Sequence, residues 1–337
     1  MNRELLKSIG CFSDERDCDT FVSTGSLALN HVISGRYDGG VPVGGITQFR
    51  GESSTAKTVF MISTLAQAQK AGFYTIFQDA EDSLNKSFVT GLGIDPSKLI
   101  YFRPETLEKC FNDIHKKINQ IRAVDKETPI VVGVDSLPVL PIDAELQFKG
   151  ADEKKKKEDE KANKASPTLG AWRAKALGNE LRLIYRRLKD DNVSLIVINQ
   201  TRSKIGAMPH SNPDTNAAGG RSLEYYLSVD MVCLSNRTKK TLIIDEKTKK
   251  TLGITGTIKN KKNKVSTPFQ ECEFELYFDK GLTSDCGLIN SLIQDEAVEI
   301  VSPGWYQCDG KKFRESQLLN LIDSGDLPTI KSLICGK

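Results

Sequence analysis

The chain has 337 residues, enough for one sizeable core and a small satellite, since a typical domain takes ~100–200 residues. A formal net charge of +3 is too mild to announce a polyanionic partner, so any nucleic-acid reading must rest on where the basic residues sit. The eight cysteines form no C-x-x-C pair and read as reduced thiols, and neither a signal-peptide core nor a stretch near the ~20 apolar residues of a membrane span is present, so a cytoplasmic protein with no membrane partner is expected.

Short apolar, β-prone runs occur at residues 45–49, 74–78, 99–102, 130–134, 195–198 and 229–234, separated by helical patterns. Continuous apolar runs between helices predict an α/β domain with a mainly parallel central sheet covered on both faces. Val59, Phe60, Ile62, Leu65, Ala66 and Ala68 form an apolar helical stripe after Lys57. Residues 151–164 are a charged, low-complexity insertion that cannot pack a core and reads as a solvated loop. Beyond it, Ser166 as cap and Pro167 at the first helical position announce a helix on which Leu177, Leu181, Ile184 and Leu188 repeat. From about residue 240 the texture changes to alternating strands, at 257–259 and 273–278, and from about 282 to a shorter α+β tail. The predicted divisions are 1–23, 24–281 and 282–337.

The most specific signal is Gly51-Glu52-Ser53-Ser54-Thr55-Ala56-Lys57-Thr58, which follows a strand and opens a helix. Backbone N–H groups at a helix start can wrap phosphates, the lysine can reach the β and γ oxygens, and the hydroxyl can bind Mg²⁺, so the segment predicts an ATP and Mg²⁺ site. The pattern asks for glycine where Ala56 stands, and alanine lacks the freedom of positive φ, so a slightly altered loop or reduced turnover is expected. Asp135 ends the 130–134 strand and would hold the Mg²⁺ near Thr58. Glu81, after the 74–78 strand, could orient or deprotonate the attacking water. Read singly, Asp135 could equally cap a turn and Glu81 could be a surface acid of a first helical turn.

Seven segments run in a shared order and spacing: residues 24–30, the 51–58 loop, 78–84, 134–136, 198–206, Gly219-Gly220 and 262–269. Over nearly its whole length the chain thereby resembles the RecA family of recombinases. The resemblance implies a RecA-like P-loop ATPase core, a short N-terminal oligomerisation segment and a small C-terminal α+β domain. It also implies DNA-dependent ATP hydrolysis by a helical homo-oligomeric filament on single-stranded DNA, with double-stranded DNA as second substrate for strand exchange. Single-strand-binding and loader proteins are the accessory partners it suggests. A ring motor of the same fold, or a mediator without turnover, are the competing readings.

Carried over by position, Lys57 and Thr58 resemble the family's phosphate and Mg²⁺ ligands, Asp135 its second acid and Glu81 its catalytic carboxylate. Phe88 falls where the family stacks an aromatic ring on adenine, with Asn85 beside the base. Gln200 resembles the glutamine that senses the γ-phosphate, and Lys262 and Lys264 the lysines that reach the neighbouring subunit's ATP. The resemblance places DNA contacts in two loops. The first, about 145–169, runs into a helix on which Lys175 and Arg182 share a face. The second, about 201–218, offers Arg202 and Lys204 to phosphates and Met208 as an apolar wedge, with Gly206 and Gly219-Gly220 as flexible ends. Lys311, Lys312 and Arg314 of the C-terminal domain suit a duplex backbone. Departures from the family are Ala56, a position that also varies in phage members and suggests a phage origin, the 151–164 insertion, a short segment before Thr24, Met208-Pro209-His210 in place of an aromatic, and a tail without an acidic run.

Overall fold

The computed structural model describes residues 20–82, 84–149, 169–200, 220–234 and 241–334. After β1 (Phe21–Val22), α1 (Leu27–Ser34) and β2 (Val41–Pro42), the core alternates strands and helices. β3 (Ile46–Gly51) leads into α2 (Lys57–Lys70), β4 (Tyr74–Asp79) into α3 (Lys86–Gly91), and β5 (Leu99–Phe102) into α4 (Leu107–Arg122). β6 (Ile130–Asp135), α5 (Asp143–Lys149) and α6 (Leu169–Asp190) follow, then β7 (Val193–Gln200), α7 (Gly220–Tyr226) and β8 (Val229–Leu234). Antiparallel strands complete the sheet: β9 (Leu242–Ile244), β10 (Thr251–Asn263), β11 (Glu271–Tyr277) and β12 (Gly281–Leu282).

These strands form one ten-stranded sheet in the order β12-β11-β10-β8-β3-β7-β6-β4-β5, with β9 on the side of β10. From β8 to β5 every neighbouring pair is parallel. The parallel block therefore delivers the C-terminal ends of β3, β4, β6 and β7 to one edge, where Gly51 is in register with Gln200 and Asp79 with Asp135. In open α/β sheets ligands bind at this edge. The strands run one or two residues beyond the apolar runs because Gly51, Asp79, Asp135 and Gln200 continue the ladder although their side chains are not core material.

Alternation along each strand feeds two cores. On one face Phe49, Phe77 and Val131 pack with Phe60, Met61 and Leu65 of α2. On the other, Ile76, Val132 and Leu195 meet Phe111, Ile114 and Ile118 of α4 and Leu181, Ile184 and Leu188 of α6. Each such side chain contributes roughly 1.5–3 kcal/mol by leaving water. Thr106 caps α4 by accepting from Lys109 N–H at 3.2 Å. The predicted cap at Ser166 and Pro167 lies outside the described residues.

The tail builds a satellite from α8 (Leu288–Gln294), the antiparallel sheet β13 (Glu299–Ser302), β14 (Trp305–Cys308) and β15 (Lys311–Arg314), then α9 (Glu315–Ser324) and α10 (Pro328–Ile334). Leu288, Leu292, Val298, Leu318 and Ile330 give it an apolar cluster of its own, into which Tyr37 projects from the core. Tyr37 also donates to Asp295 at 2.7 Å, and His31 of α1 stacks on its ring at 4.5 Å. No helix among the described residues is long and apolar enough to cross a membrane.

Candidate nucleotide site

The phosphate loop begins where β3 ends. A side chain at Gly51 would meet the Cys233 carbonyl oxygen at 2.5 Å and the Thr55 hydroxyl at 2.8 Å, so only glycine lets the loop turn here. Ala56 adopts the left-handed conformation itself, at φ 65°, and enters α2 without a side-chain cap. The loop thus keeps a glycine-like path with an alanine in it, at a cost of roughly 1–2 kcal/mol.

Lys57 and Thr58 open α2. The buried Lys57 ammonium donates to the Glu52 carbonyl and to the Thr55 hydroxyl. Burial lowers its pKa, and the neighbouring Asp135, Glu81 and Glu52 carboxylates oppose the shift. Thr58 donates from its hydroxyl to Asp135 Oδ2 at 2.6 Å. Asp135 is only 2 % exposed. Burial pushes its carboxyl up to about 6; the Thr58 hydrogen bond and Lys57 pull the other way, while Glu81 and Asp79 add to the rise. A buried carboxylate held against a hydroxyl at the first turn of a phosphate-loop helix is a hard-oxygen donor pair, and its ionised form needs a cation, so the residues fit Mg²⁺ shared with phosphate.

Glu81 sits just past β4, whose end is bonded to β6 through Ala80 N–H and the Asp135 carbonyl at 2.7 Å. Its Oε1 accepts from Ser136 Oγ at 2.8 Å and from Gln200 Nε2 at 2.9 Å. Asp79 steadies this turn by accepting from Leu84 N–H at 3.2 Å and the Tyr101 hydroxyl at 2.8 Å. Lys57, Thr58, Asp135, Glu81 and Gln200, drawn from four strand ends, are therefore brought together.

Phe88 of α3 is 37 % exposed and lines a cleft of about 240 Å³ with Thr55, Lys57, Thr58, Tyr277 and Phe278. Asn85 is placed differently: its side-chain oxygen caps α3 by accepting from Ser87 N–H at 2.9 Å, and it is not among the cleft's lining residues. Sequence reasoning gave no role to Ser136, Tyr101, Tyr277 or Phe278. Ser136 directly follows the acid and could have been found as a polar residue at a strand end; the other three become visible only through strand order.

Lys262, near the end of β10, and Lys264, just past it, are not among the residues that line this cleft. Their ammonium groups donate to backbone carbonyls in the last turn of α7, Lys262 to Glu224 and Lys264 to Tyr225, where the helix end favours cations. Burial, then Lys264, lowers the pKa of Lys262. On α6, exposed Lys175 borders a cavity of about 610 Å³ with Trp172, Glu108 and Glu180, and Arg182 donates to Asn179. Lys311 and Lys312 are exposed on β15, and the Arg314 guanidinium lies 5.3 Å from the Trp305 ring centroid. Gly220 starts α7. Arg202, Lys204, Gly206, Met208, Gly219 and the 151–164 insertion lie outside the described residues.

A strand–loop–helix with Lys57 and Thr58, facing an acid from a parallel strand and a second carboxylate held by a strand-end glutamine, defines a P-loop ATPase core. The family model for the RecA N-terminal domain matches residues 6–283. The chain belongs to the RecA family, recombinases that bind ATP with Mg²⁺ and hydrolyse it in a DNA-dependent way. Protein RecA of Thermus aquaticus is 32 % identical over 279 residues, covering 82 % of this chain and 73 % of its own. That of Pseudomonas fluorescens is 30 % identical over 316 residues, 94 % of this chain and 80 % of its own. That of Trichodesmium erythraeum is 28 % identical over 296 residues, 88 % and 73 % respectively.

Proposed function

We propose that the chain assembles as a helical filament on single-stranded DNA, hydrolyses ATP there, and pairs and exchanges strands with homologous duplex in the cytoplasm. The observation that carries this reading is the hydrogen bond from Gln200 to Glu81. Gln200 is the last residue before the segment that the family resemblance assigns to DNA, so the acid that would handle the attacking water is tied directly to the root of that segment. The helix that follows the segment, α7, accepts from Lys262 and Lys264 in its last turn.

Bound ATP would supply the transferable phosphoryl group, and Mg²⁺ would offset the charge on its phosphates. Loop N–H groups and Lys57 would bind its phosphates, and Thr58 and Asp135 would hold the cation. The Glu81 carboxylate would accept the proton of the attacking water through Oε2 while Ser136 and Gln200 hold its Oε1. Lys262 and Lys264, released from α7, would place positive charge at the neighbouring copy's γ-phosphate and make turnover depend on assembly. Phosphate contacts would hold DNA without reading sequence, leaving recognition to base pairing.

ATP hydrolysis with and without single-stranded DNA tests the reading on the wild type, Glu81→Gln and Lys262→Ala/Lys264→Ala. Stimulation of the wild type, its loss in the lysine variant, and roughly 10²-fold or greater loss of turnover in Glu81→Gln with ATP binding retained are the expected results. Turnover indifferent to DNA would refute it.

A further inference from the structure

One face of the central sheet is apolar over most of its width, with Ile46, Val132, Leu195 and Val197 in its core. Toward the ligand edge it changes character. Asp230 on β8 stands opposite Lys262 on β10 and in register with Gln48 on β3; two residues on, Arg50 is in register with Asn199 on β7. Residues in register share a face, so these five side chains form a lateral polar row across four strands.

Four of its five side chains are joined by hydrogen bonds. Gln48 Nε2 donates to Asp230 Oδ1 at 2.8 Å, and Arg50 Nε donates to Oδ1 at 2.9 Å and Oδ2 at 3.1 Å. Asn199 Nδ2 donates to Gln48 Oε1 at 3.1 Å. Gln48, Arg50, Asp230 and Asn199 are 1, 3, 5 and 0 % exposed. Stability alone does not account for such a row, since a buried ion pair can often be replaced by packed apolar residues at no loss.

Arg50 immediately precedes Gly51 of the phosphate loop, and Asn199 immediately precedes Gln200, which bonds Glu81. Lys262 stands at the opposite end of the row and reaches α7. One carboxylate therefore touches the strand that opens the phosphate loop, reaches through Gln48 to the strand that ends in Gln200, and faces a lysine assigned to the next subunit's nucleotide.

We infer that Asp230 is a positioning residue: its carboxylate holds the phosphate loop, the Gln200 end of β7 and Lys262 in one arrangement, so that the two nucleotide-contacting sides of each subunit are coupled through it. The inference rests on the filament reading above, in which Lys262 acts on a neighbour. Asp230 itself touches no reacting atom.

The test uses the full chain with saturating single-stranded DNA and measures kcat and KM for ATP, together with equilibrium binding of a methylanthraniloyl-ATP probe. Asp230→Asn should lower DNA-stimulated kcat about tenfold while KM and probe binding change by less than about twofold. Arg50→Gln/Asp230→Asn, which removes both buried charges and so protects folding, should show the same kcat loss. Lys262→Met should lower kcat by a clearly smaller factor in the Asp230→Asn background than in the wild type, because coupled residues are non-additive. Wild-type kcat in Asp230→Asn, recovery in the charge-free pair, or additivity with Lys262→Met would each overturn the inference while leaving DNA stimulation of the wild type intact. A wild type that DNA does not stimulate would instead overturn the filament reading, and this inference with it.

Discussion

Asp135→Asn should make the nucleotide-free protein more stable and the enzyme inactive. The carboxyl of Asp135 is pushed up to about 6 in the folded chain, from an ordinary value of 3.8. Because this acid is raised on folding, the folded state holds its proton longer than the unfolded state does. Below the unfolded value both states are protonated and no penalty exists; as pH rises through about 6 the penalty becomes complete. Its size at pH 7.5 is about 3 kcal/mol, from the difference in pKa. Asparagine removes the charge and still accepts the Thr58 hydroxyl, so Asp135→Asn should gain a large part of that figure at pH 7.5 and almost none at pH 4. Urea denaturation of both proteins across this range, without nucleotide or Mg²⁺, measures it. With ATP and Mg²⁺ added the order should invert, because ligand binding stabilises only the wild type strongly. A variant less stable than wild type at pH 7.5 without nucleotide, or a stability difference that does not change with pH, would refute the reasoning.

Two further substitutions probe the loop and the satellite. Ala56→Gly relieves left-handed strain of about 1–2 kcal/mol but loses a buried methyl and adds unfolded-chain freedom, so stability should change by less than about 1 kcal/mol. Ala56→Val places a β-branched residue in the same conformation and should destabilise clearly more in the same denaturation series. Tyr37→Phe removes the hydrogen bond to Asp295 and should cost about 1 kcal/mol, with faster limited proteolysis of residues 284–334 as the local readout.

Much of the site was legible because its signals are local. The phosphate loop is eight consecutive residues; Asp135 and Glu81 each follow an apolar run short enough to be a strand; the helical stripe after Lys57 reports its own buried face. The Ala56 departure was readable too, since glycine's role at that position is a matter of one φ angle, although only the structure shows alanine taking the left-handed conformation. Asn85 shows the limit: its position in a motif suggested the nucleotide, whereas its side chain is engaged in capping α3, a local competition that asparagine readily wins.

By itself the sequence determined the alternation of strands and helices, the parallel character of the central block and the chemistry of the phosphate loop, all consequences of periodicity and of contacts within a few residues. Tertiary structure alone decided which strand ends become neighbours. Glu81 finds Ser136 at a separation of 55 residues and Gln200 at 119, and Gln48 finds Asp230 at 182. Tyr277 and Phe278 complete the Phe88 cleft from antiparallel strands whose attachment beyond β8 no local pattern announces. The reason is physical: a strand's apolar pattern states which face is buried, but hydrogen bonding along its edges is identical for every candidate partner. Order and register are therefore set by the crossover helices and by packing of the whole sheet.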